Sequence, residues 1–208
     1  MRTVAALYVD PRGHYPRMPG VECWDEARDA RLYAGPHPVV AHPPCSRWCR
    51  LAKLVQARWG HKLGDDGGTF ACALRDVRKY GGVLEHPAWS HAWAAHGLMN
   101  PPAKGWARTI DGEWVCEVAQ SAYGHAAQKL TWLLLAGATP PATDWSRPRG
   151  TKVVGHMTRR GDGTIFRRNA DRMSKSAASR TPPLFAEFLV SLARAARCNN
   201  ESPVEHAG

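Results

Sequence analysis

The sequence lacks any apolar run of about 18 residues, the length that a membrane-spanning helix needs. Its first ten residues have neither the apolar segment nor the small-residue cleavage site of a secretory signal peptide. We therefore expect a cytoplasmic protein with no membrane partner. The six cysteines also lack the spacing of a disulfide framework, which agrees with reduced thiols in that compartment.

Metal-site patterns are missing as well. No Cys-x-x-Cys pair occurs, and the His-x-Glu and Pro-Cys-x-x-Cys signatures of zinc deaminases are absent. His42, Cys45 and Cys49 lie close in sequence, but they have no matching second pair of ligands. We expect no metal site.

Acidic residues are outnumbered by basic ones, 18 against 28, which gives a formal net charge of +10. Residues 142–180 hold ten Lys and Arg but only three Asp, so this segment carries +7 of that charge. A solvated loop is one explanation. The concentration of charge favours contact with nucleic-acid phosphates, for which we single out Arg159, Arg160, Arg167 and Arg168.

The 208 residues, 44% of them hydrophobic, suit one globular domain. Apolar runs and turn residues predict strands at Thr3–Val9, Val39–His42, Val83–Glu85, Glu113–Gln120 and Leu130–Leu135. Helices are predicted at Trp24–Tyr33, Arg50–Arg58, Thr69–Tyr80, Trp89–His96 and Pro182–Arg197, the last with Thr181 as its N-cap. A hairpin is predicted for Lys152–His156 and Thr164–Arg168.

The alternation of strands and helices predicts an α/β protein whose open, mostly parallel sheet has helices on both faces. Residues 1–139 would form this core, and 140–180 a small basic insertion or recognition segment. A C-terminal helix over 181–198 would pack back on the core, and 199–208 would form a disordered tail.

Two predicted strands end in reactive residues. Pro43 and Pro44 stop the first strand, so Cys45 lies on a stiff loop at its carboxyl end, where open α/β sheets bind ligands. Glu85 lies at the end of the second strand, just before His86 and Pro87. If the strands are parallel neighbours, both side chains face one crevice. A buried structural cysteine is the alternative interpretation.

A thiolate and a carboxyl group in one crevice suit chemistry on a pyrimidine. The thiolate adds to C6, the carboxyl group engages N3 and the exocyclic group, and C5 becomes nucleophilic. The base of a duplex must first be flipped out. Arg47, Arg50 or His42 would lower the pKa of the thiol. Trp48 would either stack on the flipped base or fill the core, and His86 is a further candidate for base contact.

Four segments, in this order, resemble the DNA cytosine-5 methyltransferase family. Pro43-Pro44-Cys45 resembles its Pro-Pro-Cys loop, which implies Cys45 as nucleophile with Pro44 beside the substrate. Glu85-His86-Pro87 resembles its Glu-Asn-Val motif, which implies that Glu85 engages the base. The stretch Tyr123-Gly124-His125-Ala126-Ala127-Gln128-Lys129 resembles its Tyr-Gly-Val-Pro-Gln-x-Arg stretch, which implies Lys129 near the substrate. Thr181-Pro182-Pro183 resembles its last Val-Pro-Pro helix.

The resemblance implies a methyltransferase or Rossmann-like fold, DNA as partner, and methyl transfer from S-adenosylmethionine to C5 of cytosine. The basic segment takes the place of the target-recognition region. The family's Phe-x-Gly-x-Gly cofactor loop is absent, and Asp10-Pro11-Arg12-Gly13 is its possible substitute, so Asp10 and Gly13 are the cofactor-binding candidates. So compact a chain would suit a protein encoded by a phage.

Two other functions stay open at this point. One is a catalytically silent DNA-binding relative that has lost its cofactor site. The other is an enzyme that keeps the thiolate chemistry on a pyrimidine but uses a different electrophile.

Overall fold

The computed structural model describes residues 1–49, 52, 56–57, 60–154, 157–159, 165–167 and 171–197. Its main strands are β1 (Val4–Leu7), β2 (Val21–Trp24), β3 (Val39–Ala41), β4 (Gly82–Pro87), β5 (Trp106–Arg108), β6 (Trp114–Ala119) and β7 (Leu130–Ala136). They form one sheet in the order β2-β1-β3-β4-β7-β6-β5. A second sheet pairs β8 (Met157–Arg159) antiparallel with β9 (Ile165–Arg167); β9 lies within the predicted strand Thr164–Arg168, whereas β8 lies beyond the predicted strand Lys152–His156.

The helices are α1 (Thr69–Tyr80), α2 (His91–Ala95), α3 (Lys175–Ser179) and α4 (Pro183–Ala195). The bounds predicted for α1 are confirmed. Helix α4 has Pro182 rather than Thr181 at its N-cap, because Pro183 already occupies the first helical position. The predicted helix Arg50–Arg58 lies largely outside the described residues. In the described part of the chain, no helix is long and apolar enough to cross a membrane.

The α/β class is confirmed, but the sheet is mixed. Strands β2, β1, β3 and β4 run parallel, whereas β7 is antiparallel to both β4 and β6, and β5 is antiparallel to β6. The prediction of a mostly parallel sheet is therefore met only in the first half of the chain. Residues 109–113 and 120–129 are too few for parallel crossovers, so the later strands return as antiparallel neighbours.

Alternating side chains of the sheet build two apolar cores. Ala5 and Leu7 lie in one core with Phe70 of α1, and Val4 and Ala6 lie in the other with Phe185 of α4. Helix α1 contacts β3, β4 and β7, while α4 contacts β1, β3 and β4. Helices therefore cover both faces of the parallel half.

The predicted helix Trp24–Tyr33 is wrong. Trp24 ends β2, and only Ala30–Leu32 forms a short 3₁₀ turn. The Asp25 carboxylate accepts a hydrogen bond from the Arg28 backbone N–H at 3.0 Å, and Asp29, at φ 49°, accepts one from the Arg31 N–H. Such local side-chain bonds compete with helix formation. The edge strands β2 and β5 were not predicted.

The register of β3 and β4 brings their carboxyl ends level. Ala41 pairs with Leu84, and Val39 pairs with Gly82. Gly82 has a φ of 125°, and a Cβ atom there would overlap the Val39 backbone, so this close approach requires glycine. The loops that follow β3 and β4 consequently leave the same edge of the sheet.

The strand order reverses between β1 and β3. The chain passes from β1 to β2 on one side, and then to β3 and β4 on the other. In open parallel sheets, such a switch point opens a crevice at the carboxyl ends of the strands. The loops after β1 and β3 border it.

Candidate functional site

Cys45 follows β3, and Glu85 lies in its parallel neighbour β4, which runs on to Pro87, so the two expected strands are parallel neighbours. The loop after β3 is also fixed to the residues after β4. The Trp48 carbonyl accepts hydrogen bonds from the His91 N–H at 2.9 Å and from the Ser90 hydroxyl at 3.3 Å. The two loops thus form one edge, on which the Cys45 side chain is half-buried.

A chain of hydrogen bonds, which we call the Glu85 network, holds the carboxylate in place. His42 Nδ1 lies 2.9 Å from Glu85 Oε2, and His42 Nε2 lies 2.7 Å from the Tyr15 hydroxyl. On the other side, Gln120 Nε2 donates to Glu85 Oε1 at 3.2 Å and to Thr131 Oγ1 at 2.9 Å. Both oxygens of Glu85 are therefore bonded, and its orientation is fixed.

The network also sets the charge of Glu85. Burial alone raises the pKa of a carboxyl group, but the hydrogen bond and charge of His42, with the charges of Lys129 and His86, outweigh it. The pKa of Glu85 falls from 4.5 to about 2. The resting site therefore contains a carboxylate.

The pKa of the Cys45 thiol shifts in the opposite direction, upward. Burial raises its pKa above the ordinary 9.0, and the nearby Glu85 charge raises it further. The cation that opposes this rise is Lys129. His42, one of the groups expected to activate the thiol, is instead bonded to Glu85 and Tyr15, and Arg50 lies outside the described residues. The resting thiol is therefore protonated.

Lys129, which the family resemblance implies to lie near the substrate, acts electrostatically on this site. Its charge acts on both Cys45 and Glu85. It immediately precedes β7 at a φ of 31°, and its carbonyl accepts a hydrogen bond from the Gln120 N–H at 3.1 Å. The turn between β6 and β7 thus contributes both a cation and the Gln120 amide.

His86 and Trp48 lie in the core that contains α1. The His86 ring is fully buried and packs edge-on against Phe70, with ring centroids 5.1 Å apart. Trp48 is 7% exposed and donates from Nε1 to the Asp66 carboxylate at 2.8 Å. Neither ring offers a face to solvent for stacking. Pro44 is exposed at the edge of the site.

Asp10 and Gly13 form a tight turn after β1, beside the switch point. The Asp10 carboxylate accepts a hydrogen bond from the Arg12 N–H at 2.9 Å, and the Asp10 carbonyl accepts one from the Gly13 N–H at 2.8 Å. These bonds occupy the backbone donors that a cofactor carboxylate would need. The turn does not fit the amino-acid part of S-adenosylmethionine.

The basic segment begins beside the site. The Pro148 carbonyl accepts a hydrogen bond from the Ser121 hydroxyl at 2.8 Å, and the Lys152 N–H donates to the Ala126 carbonyl at 2.9 Å. Both partners lie in the connection between β6 and β7, which also supplies Gln120 and Lys129. Farther along, Arg159 ends β8 and Arg167 ends β9, while Arg160 and Arg168 lie outside the described residues.

Sequence reasoning missed two residues of this edge. Tyr15 precedes β2 in a short 3₁₀ turn, and nothing in its local sequence links it to His42. Trp89 follows β4 directly after Ala88; it is 47% exposed and adopts a φ of 59°, a region that bulky residues seldom occupy. In the sequence, its position two residues after Pro87, which ends the strand, could have indicated that Trp89 lies at this edge.

Within the described ranges, no three His, Cys, Asp or Glu side chains come together as a metal site would require. No protein-family model, curated protein or solved structure significantly matches the chain.

Proposed function

We propose that the protein modifies a pyrimidine base in DNA through a covalent bond between Cys45 and the base. The observation that carries this proposal is the Glu85 network, which fixes a carboxylate at the same sheet edge as the Cys45 thiol. The reaction would begin with attack of Cys45 Sγ on C6 while Glu85 engages N3. The C5 atom would then become the nucleophile.

The chemistry requires two changes of protonation at the site. The resting pair is a thiol and a carboxylate, and the attacking pair is a thiolate and a carboxylic acid. Cys45 must therefore lose a proton and Glu85 must gain one as the base is attacked. Lys129, whose charge lowers the pKa of the thiol, would stabilise the thiolate while the base binds.

Methyl transfer to C5 of cytosine is the form of the reaction that the family resemblance implies. A methyltransferase-like or Rossmann-like arrangement is supported by the parallel strands β2, β1, β3 and β4 and by the switch point beside β1. S-adenosylmethionine is the methyl donor that this assignment requires. Because the Asp10–Gly13 turn does not fit its amino-acid part, we derive no step through the cofactor.

DNA is the proposed partner on grounds of charge and access. The basic segment of 142–180 carries a net +7 and begins against the β6–β7 connection, beside the site. Its cations would neutralise phosphates on either side of a flipped base. Trp89, exposed at the same edge, provides an aromatic face for the unstacked nucleotides.

A second candidate is a DNA-binding protein without catalytic activity. Two observations favour it: the raised pKa of Cys45, and the closed turn at Asp10–Gly13. A third candidate is an enzyme that uses a different electrophile. It would keep the Cys45 chemistry and would not need the Asp10–Gly13 turn to bind a cofactor.

One experiment separates the three functions. The protein is incubated with duplex DNA containing 5-fluorocytosine, with and without S-adenosylmethionine, and adducts that survive denaturation are counted beside a Cys45→Ala control. A cofactor-dependent adduct that is lost in Cys45→Ala supports methyl transfer. A cofactor-independent adduct supports a different electrophile. DNA binding with no adduct in either condition contradicts the proposal and supports the silent relative.

A further inference from the structure

We propose that His42 supplies the proton with which Glu85 engages the base, and that Tyr15 holds the His42 ring in the orientation for this transfer. This inference rests on the proposed function. It assigns His42 as a positioning and proton-supplying residue that acts through Glu85 and has no contact with the substrate.

The geometry gives His42 two distinct partners. Its Nδ1 atom lies 2.9 Å from Glu85 Oε2, and its Nε2 atom lies 2.7 Å from the Tyr15 hydroxyl. The Tyr15 and His42 rings also pack with centroids 5.4 Å apart. Tyr15 is 3% exposed, so the His42 ring cannot turn without breaking its buried contact with Tyr15. The Nδ1 atom of His42 therefore stays directed at the Glu85 carboxylate.

The groups around this pair determine where the proton resides. Lys129 and His86 favour the ionised carboxylate, while the Glu85 charge raises the pKa of Cys45. Burial, with the Glu85 charge and Cys23, raises the pKa of Tyr15 well above its ordinary value. Tyr15 therefore remains a neutral phenol, and its oxygen is placed to accept from Nε2–H when the ring carries both protons.

Each proton of the transfer has a donor and an acceptor. The transfer starts from the ion pair that His42 and Glu85 form when the ring carries both protons. As the base enters, the Nδ1 proton passes through Glu85 to N3, and Cys45 gives its thiol proton to solvent as Sγ bonds to C6. The ring is left neutral, and when the S–C6 bond breaks, N3 returns its proton through Glu85 to Nδ1 while the thiolate takes a proton from solvent.

His42→Asn is the variant that tests this assignment. An asparagine amide keeps a hydrogen-bond donor near Glu85 but cannot release a proton at neutral pH. Adduct formation on 5-fluorocytosine DNA is expected to fall about 100-fold at about pH 8, and by much less at about pH 6, where solvent supplies the proton. The matched control is His37→Asn, because His37 precedes the same strand at its opposite end.

Two further measurements separate proton supply from structural support. Tyr15→Phe removes only a hydroxyl group, and it should slow adduct formation because the His42 ring loses the partner that holds its orientation. In His42→Asn, the carboxyl pKa of Glu85, followed by carbon NMR, should rise from about 2 toward the ordinary 4.5.

The possible results assign failure to one proposal or the other. If the wild-type protein forms an adduct but His42→Asn loses rate equally at both pH values, or loses none, the role of His42 is refuted and the proposed function stands. If the Glu85 pKa is unchanged in His42→Asn, the coupling between the two residues is refuted. If the wild-type protein forms no adduct at any pH, the proposed function fails and this inference fails with it.

Discussion

His86 makes the stability of this protein depend on pH in a way that can be measured. Its ring is fully buried, and neither ring nitrogen has a hydrogen-bond partner among the described residues. Burial lowers the pKa of His86 from 6.5 to about 4, although the charges of Glu85 and Asp66 oppose this. The folded protein therefore contains neutral histidine at pH values where the unfolded chain binds a proton.

The sign and size of the effect follow from proton linkage. Between about pH 6.5 and pH 4 the unfolded chain binds the additional proton, so the free energy of unfolding decreases as the pH falls through this window. A pKa difference of this size corresponds to about 3 kcal/mol. His86→Leu abolishes the titration and removes the contact of the ring with the Pro44 backbone, so its stability at neutral pH should lie within about 1 kcal/mol of that of the wild type.

Urea unfolding followed by tryptophan fluorescence, at several pH values across the window, measures this difference. Between about pH 7 and about pH 4, the wild type should lose about 3 kcal/mol more than His86→Leu. His37→Leu, which changes a half-exposed histidine, should retain the wild-type dependence. If the wild type and His86→Leu lose the same free energy of unfolding, to within about 0.5 kcal/mol, the account of His86 is refuted.

Three other perturbations test the register, the nucleotide contact and the basic segment. Gly82→Ala should reduce the free energy of unfolding by about 3 kcal/mol or more, because a Cβ atom would overlap the Val39 backbone; an unchanged urea midpoint would contradict the β3–β4 register. Trp89→Ala should weaken DNA binding by about 1–3 kcal/mol while the protein stays folded, and equal affinity would remove Trp89 from the interface. The last change replaces four arginines of the basic segment with neutral residues: Arg159, Arg160, Arg167 and Arg168. The slope of log affinity against log salt should become shallower by up to about 0.9 for each phosphate that they contact in the wild type, and an unchanged slope would exclude them from the DNA interface.

Strong local patterns predicted the parallel half of the fold. The glycine-containing loops on either side of Thr69–Tyr80 predicted the bounds of α1, and the proline-bounded run at Val39 predicted β3. Sheet order and direction depend on contacts distant in sequence, so the antiparallel return of β7 between β4 and β6 was not predicted. The edge strands β2 and β5 are short, half-buried segments without a clear alternating pattern.

The candidate site was predictable where a motif accompanied the end of a predicted strand. Cys45 and Glu85 were found in this way and Lys129 through the family resemblance, and the charges of Glu85 and Lys129 both act on Cys45. The pairing of His42 with Glu85 was not predicted, because it depends on the register of β3 against β4 and on Tyr15 from a separate loop. Trp48 and His86 are adjacent to site residues in sequence, yet both lie in the core.

The covalent bond to Cys45 is the central claim, and peptide mapping tests it most directly. After incubation with 5-fluorocytosine DNA, the protein is digested and the peptide that carries the nucleotide is identified by mass spectrometry. The account predicts that the nucleotide mass lies on Cys45 and that no labelled peptide forms in Cys45→Ala. Bound DNA with no labelled peptide, or labelling of Cys49 with Cys45 unmodified, would contradict it.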